Sequence, residues 1–421
     1  MVSFLPQFLI EGNRKLKGEI LIQGSKNSVL PILAATLLCS GQCVIHNCPD
    51  ILDVNFSIKI LRYLGGEVFR EGKSIIVNME NIKKWDIPAS LMKEMRSSII
   101  FLGAILSRLK KARVSLPGGC QLGPRPIDFH LEALEKMGVT IKENNGNLYC
   151  ETREKLKSTK IKLPFPSVGA TENIILASVF VSGEIILENA AREPEIVDLV
   201  RFLNSCGAKI KGEGTSKIIV EGVKNLHGTE YKIIPDRIAA TTYMAASAIT
   251  GGEILVRNVS KIHLREIVRV LKMCKCGIIV YDKDILLKAP SKLLSIKELK
   301  TSVYPGFPTD AQALFLSLMT VAKGQSVFFE NVFSDRYKYV KELLKMGANV
   351  KIEGKKAIVD GVESLNPANM MATDLRGGAA LVLAALKAEG SSTIGNLRHI
   401  DRGYENLEEN LKSLGANIKR I

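Results

Sequence analysis

The chain has 421 residues, with 58 Lys+Arg against 43 Asp+Glu for a formal net charge of +15, and it is 46% hydrophobic and 24% charged. That composition excludes a mostly disordered chain, and the length exceeds the roughly 250–300 residues at which single cores stop growing, so two domains are expected. No stretch reaches the ~18 uncharged apolar residues of a membrane span, and the basic residues are scattered among only 6% aromatics, which favours a multiply charged small anion over nucleic acid as the partner of the positive surplus.

From the N-terminus, residues 1–10 are apolar but have neither a basic start nor a small-residue cleavage site, so no signal peptide is read there. Eight cysteines without a CxxC pair are then expected as free thiols in a reducing cytoplasm. Cys39, Cys43 and Cys48 lie near His46, but their spacing fits no common zinc pattern, and small apolar fillers at a helix end are the favoured reading. No metal and no organic cofactor is called for.

A repeat organises the chain. A helical tail of the form Leu-x-x-apolar, usually followed by Gly, begins at Leu61, Leu134, Leu203, Leu343 and Leu411, with a degraded copy at Leu271-Lys272-Met273-Cys274-Lys275. The steps of 68–73 residues give six units of about 70. In phase with it run six helical segments that are apolar almost all round, 28–38, 98–106, 172–181, 238–249, 311–322 and 378–388, which marks them as buried. Gly41, Gly183, Gly251, Gly324 and Gly390 are expected to cap these buried helices, and Gly65, Gly138, Gly207, Gly347 and Gly415 the amphipathic ones. Short strands such as 184–187, 253–256, 326–329 and 349–353 follow. The expected fold is α/β, with buried helices and outer sheets, in two closed three-unit domains rather than an open solenoid, because the units are long and the last is as apolar as the others.

The residues opening the buried helices carry the chemistry. They are Gly24-Ser25-Lys26-Asn27, Met95-Arg96-Ser97-Ser98, Ser167-Val168-Gly169-Ala170-Thr171, Asp236-Arg237, Thr309-Asp310 and Asp374-Leu375-Arg376. Helix N-termini bind anions. Capping explains the Ser and Asp residues, but not Lys26, Arg96, Arg237 and Arg376 beside a positive helix end. The loop 116–126 holds three Gly and three Pro around Cys120, which suits a lid whose thiol neighbouring cations would activate. In the second half, Asp310 suits a general base, and Arg336 and Arg402 suit oxyanions.

Taken together, Gly24–Asn27, 117–128, 167–171, Pro235-Asp236-Arg237-Ile238, 304–310, Asp374-Leu375-Arg376-Gly377-Gly378 and 399–404 resemble the UDP-N-acetylglucosamine enolpyruvyl transferase family from end to end. The resemblance implies a two-domain inside-out α/β barrel of six βαβαββ units, with one domain over 22–233 and the other over 1–21 and 234–421. It implies transfer of the enolpyruvyl group of phosphoenolpyruvate to the 3′-hydroxyl of UDP-N-acetylglucosamine with release of phosphate, the first committed step of peptidoglycan precursor synthesis, through a tetrahedral intermediate and without a cofactor. Cys120 matches the proton donor and the site of adducts with phosphoenolpyruvate and fosfomycin, and Asp310 the base on the hydroxyl. Lys26, Arg125 and Arg402 match cations around phosphoenolpyruvate, assisted by Arg376 and beside the carboxylate of Asp374. Asn27, Arg96, Ser167, Val168, Gly169 and Val332 match sugar-nucleotide contacts, and Arg125, Pro126, Ile127, Asp128 and Phe129 the uridine segment. Two positions depart from the pattern: Phe165-Pro166 stand where a lysine is frequent, and Ala239-Ala240 where an acidic residue and a glycine are common.

Overall fold

The computed structural model describes residues 6–115 and 127–421, apart from the Arg96 side chain; Cys120, Arg125 and Pro126 lie outside the described residues. The chain divides into two compact units. One holds described residues 24–115 and 127–234, the other 6–23 and 235–421.

Each unit carries three four-stranded sheets built to one plan. A short strand pairs parallel with a second, and a hairpin then adds two antiparallel strands, as in Glu298–Lys300, Gln325–Phe329, Lys356–Asp360 and Asn349–Glu353. Burial alternates along these strands, so one face of each sheet turns inward. Two sheets borrow a strand from the beginning of the chain. Lys17–Leu21 pairs parallel with Glu253–Arg257, and Phe8–Glu11 inserts between Ser391–Gly395 and Asn417–Arg420. Register fixes the second insertion, with Phe8 and Ile10 fully buried and Glu11 on the solvent side.

The helices inside the sheets are Lys26–Ala35, Phe101–Leu109 behind a 3₁₀ turn at Arg96–Ile100, Val168–Ser178, Arg237–Thr250, Thr309–Met319 and Leu375–Lys387. Some polar groups on them are paired across the helix contacts. Ser317 Oγ donates to Ala380 O at 2.8 Å, and the Gly103 N–H donates to Asn173 Oδ1 at 2.6 Å. A side chain at Gly103 would collide with the Asn173 backbone, so glycine sets how closely these two helices approach.

The outer helices end alike in all six units. In each, the amide two residues past the last turn donates to the leading leucine: Gly66 to Leu61, Val139 to Leu134, Ala208 to Leu203, Cys276 to Leu271, Ala348 to Leu343 and Ala416 to Leu411, all at 3.0–3.3 Å. This six-to-one bond closes a Schellman cap and requires a left-handed residue before it. Glycine supplies that residue in five units, and Lys275 adopts φ +69° in the sixth. The buried helices correct the expectation for their ends. Only Gly251 is a cap; Gly41, Gly183, Gly324 and Gly390 have positive φ but lie farther on, at or within the turn into the next strand. The tight inner end is finished by 3₁₀-type bonds instead, as in the turn Thr36–Leu38 and at Thr320.

Candidate active-site groups

In the unit spanning 24–234, Lys26 opens the first buried helix and its Nζ lies 2.8 Å from Asp53 Oδ2. The two side chains are only 10% and 1% exposed, so a buried carboxylate explains a lysine at a positive helix end. Asp53 sits in the first turn of the outer helix Leu52–Leu64, on the same buried stripe as Ser57, Ile60, Leu61 and Leu64. Asn27 is half-buried beside Lys26. Ser28 donates to Asp198, which also accepts from Tyr231 Oη at 2.7 Å and the Ile234 amide at 3.3 Å. Burial pushes the Asp198 carboxyl upward, against these hydrogen bonds.

The 167–171 turn is a helix start. Ser167 Oγ accepts weakly from the Ala170 amide at 3.4 Å, and Val168 and Gly169 are half-buried. His130 packs on this turn: a side chain at Gly169 would lie 3.2 Å from His130 Cε1. The ring is held by Asn173 Nδ2 at 2.9 Å from Nδ1, and burial draws its pKa down to about 4, against the field of Asp128. The imidazole is therefore neutral near pH 7. Ile127 and Phe129 pack partly buried on this unit's core, while Asp128 is exposed at the helix start. Phe165 is 39% exposed where the family frequently has lysine, and its carbonyl accepts from the Ser167 amide at 2.7 Å.

In the other unit, Asp310 lies between two guanidinium groups. Its Oδ1 is 2.9 Å from Arg336 Nη2 and its Oδ2 is 3.1 Å from Arg376 Nη2. Both arginine side chains are 3% exposed, whereas Asp310 is 27% exposed, so the carboxylate alone of the three is open. Arg336 also donates to Thr309 O at 3.1 Å. Burial opposes the charge on Arg376, but Tyr404 and Asp310 hold its pKa well above the usual arginine value. The Arg376 guanidinium stands 5.4 Å from the Tyr404 ring centre, and Tyr404 Oη is 2.8 Å from Thr242 Oγ1.

Below this clamp sits Glu330, 1% exposed. It accepts from Thr301 Oγ1 and Thr309 Oγ1 at 3.0 Å and from the Val332 and Phe333 amides at 2.9 and 3.1 Å. One carboxylate thus fixes Val332 relative to the start of the Asp310 helix. Asp374 Oδ1 accepts from the Arg376 and Gly377 amides, both at 3.0 Å, and Asp236 Oδ1 accepts from Ile238 and Ala239 at 2.8 and 2.9 Å. These two aspartates are helix caps as expected. Ala239 and Ala240 are fully buried, so that departure from the family pattern falls on a core position. Arg237 stands 5.7 Å from the Tyr304 ring centre. Arg402 is half-buried just past Arg398–Asp401. Burial first, and then Arg402, draw the His399 pKa down, while Asp374 opposes them.

The structure thus gathers Asp310, Arg336, Arg376 and, through Glu330, Val332. Arg336, expected at an oxyanion, is here a buried partner of Asp310, its outer nitrogen donating to that carboxylate and to Thr309 O. Asp53, His130 and Glu330 escaped the sequence reading. Each stands on an apolar stripe: Asp53 on a helix face, His130 with Ala133 and Leu134, and Glu330 at the inward position after Ser326 and Phe328. A charged residue in phase with a buried face was the available signal.

A family model described as EPSP synthase (3-phosphoshikimate 1-carboxyvinyltransferase) matches residues 10–411. UDP-N-acetylglucosamine 1-carboxyvinyltransferases 2 and 1 of Caldanaerobacter subterraneus subsp. tengcongensis are each 48% identical, over 99% and 98% of this chain and 99% of theirs. The crystal structure of the enolpyruvyl transferase NikO from Streptomyces tendae superposes with a TM-score of 0.91 at 25% identity, covering 99% of both chains. EPSP synthase from Acinetobacter baumannii shares the fold at a TM-score of 0.77 and 21% identity, covering 99% of this chain and 100% of its own. Matched over nearly its whole length by sequence, by family and by fold, the chain belongs to the EPSP synthase family of enolpyruvyl transferases, with the UDP-N-acetylglucosamine 1-carboxyvinyltransferases among its relatives.

Proposed function

We propose that this chain transfers the enolpyruvyl group of phosphoenolpyruvate to the 3′-hydroxyl of UDP-N-acetylglucosamine, releasing phosphate and serving peptidoglycan precursor synthesis. The observation that carries the reading is the 48% identity, end to end, with relatives of that name. Both partners are then small molecules. The hydroxyl oxygen bonds to C2 of phosphoenolpyruvate while C3 takes a proton. The tetrahedral intermediate then loses that proton equivalent from C3 as the bond from C2 to the phosphate oxygen breaks.

Asp310 takes the hydroxyl proton. Two guanidiniums hold and aim its carboxylate. It accepts a hydrogen bond from the hydroxyl first and the proton as the new C–O bond makes that hydroxyl acidic. Arg336 and Glu330 are positioning residues for it. Lys26, held by Asp53, meets the anionic substrate, with Arg402, Arg376 and Arg125 supplying further positive charge. Asp374 holds Arg376 at the helix start through two backbone bonds. Asn27, Arg96, Arg125 to Phe129, Ser167 to Gly169 and Val332 bind the sugar nucleotide, and Cys120 protonates C3. Intact-protein mass measurement tests the assignment of Cys120. Fosfomycin should add once to the wild-type chain and not to Cys120→Ser; an equal adduct on that variant would overturn the role.

A further inference from the structure

The thiols of Cys39, Cys43 and Cys206 meet in the core of the 24–234 unit, their Sγ atoms all within 4.8 Å of one another. Cys39 starts the strand that follows the first buried helix, Cys43 lies on Gln42–His46, and Cys206 ends the outer helix Pro194–Ser205. All three are at most 1% exposed. The grouping differs from the one their sequence order suggests. Cys48 turns away to Ile45 O at 3.3 Å, and His46 is held by Ser74 and Glu230 at 2.8 and 2.6 Å. From the geometry we infer that Cys39, Cys43 and Cys206 form a binding site for one soft divalent cation of the zinc or cadmium type, apart from the reaction chemistry.

Three features favour a ligand set over incidental packing. First, soft sulfur donors converge in the number that a trigonal or Cys₃His centre needs. Second, a nitrogen donor lies on the strand paired with that of Cys39, outside the 4.8 Å grouping. His227 pairs with Ser40 on the neighbouring strand, its amide bonds Cys206 O at 2.9 Å, and its Nδ1 donates to Gly228 O at 2.9 Å. That bond leaves the lone pair on Nε2, which lies 3.4 Å from where a side chain at Gly207 would begin. A backbone carbonyl orienting the other ring nitrogen is the usual support of a metal-binding histidine. Third, the charge closes. A divalent cation displacing three thiol protons to the buffer leaves one net negative charge, and the Arg108 guanidinium stands beside it, donating to Leu37 O and Cys39 O at 2.6 and 3.3 Å.

The test is a Cd²⁺ titration of the full, reduced, chelator-stripped chain, read by sulfur-to-cadmium charge-transfer absorbance and by melting temperature. One equivalent should bind with a three-thiolate band and raise the melting temperature, as binding to the folded state alone requires. The band should persist in Cys120→Ser and Cys48→Ser. Cys206→Ala should weaken binding by roughly 100-fold or more, since losing only an outer-shell partner already costs ~10–100-fold. Should Cys206→Ala misfold, Cys43→Ser gives the same reading, and the wild-type titration decides alone. Absence of a band in the wild type, or its loss in Cys120→Ser, would overturn the site.

Discussion

The two kinds of helix end diverged differently across the six units. The C-terminal ends of the outer helices are copies: the same leucine accepts the same amide in every unit, and even Lys275 takes the left-handed backbone that glycine takes elsewhere. The N-terminal ends of the buried helices share no pattern common to all six, although Asp236 and Asp374 cap two of them alike. One begins with a lysine paired to a buried aspartate, one with Ser167 under a neutral histidine, one with an aspartate between two arginines. What repeats closes the fold; what differs carries the chemistry. A pseudo-symmetric protein thus sorts its own residues, because an end that served only capping would have no reason to acquire Lys26 or Arg376 against the helix dipole.

Substitutions can break this comparison. The largest effect is expected at Asp310, where Asp310→Ala should lower kcat by ~10²–10⁴-fold with the melting temperature little changed. An unaltered kcat would leave Asp310 only a structural partner of Arg336 and Arg376. Lys26→Met should destabilise its unit by about 3–5 kcal/mol, because it breaks the buried ion pair with Asp53. Lys26→Met combined with Asp53→Leu should restore much of the denaturant midpoint but not turnover; recovery of both would make the pair structural only.

His130 gives a pH test. The unfolded side chain protonates near 6.5, the folded one only at about 4, so the unfolded state binds more protons between those values. Stability should then fall as pH drops through that window, by about 3 kcal/mol in full. Glu172, pushed up by burial and by Glu195 and Glu193, contributes with the opposite slope, present at low pH and lost as pH rises. Comparison with His130→Gln isolates the histidine: denaturant midpoints that keep the same slope between pH 6.5 and 4 would contradict its role. The smallest effect belongs to the repeated end. Lys275→Gly should stabilise by ~0.5–1 kcal/mol, since a left-handed lysine costs about 1–2 kcal/mol and glycine returns part of that as chain entropy. Turnover should not move.

Much of this was readable in the chain. The leucine-glycine tails located all six outer helix ends, and the polar openings of the apolar helices located Lys26, Ser167, Asp310 and Asp374. Partner choice was not readable. That Asp53 belongs to Lys26, Glu330 to Thr309, and Cys206 to Cys39 is decided by which faces the sheets turn inward over separations of 21–167 residues. The misread caps at Gly41, Gly183, Gly324 and Gly390 have a local cause: a positive-φ glycine marks a sharp turn, and beyond a buried helix that turn belongs to the strand.

The central claim is the acceptor. Phosphate release from phosphoenolpyruvate, measured with UDP-N-acetylglucosamine and separately with shikimate 3-phosphate, tests it most directly. The account predicts release with the sugar nucleotide alone, abolished by fosfomycin pretreatment. Release with shikimate 3-phosphate, or with neither acceptor, would contradict it.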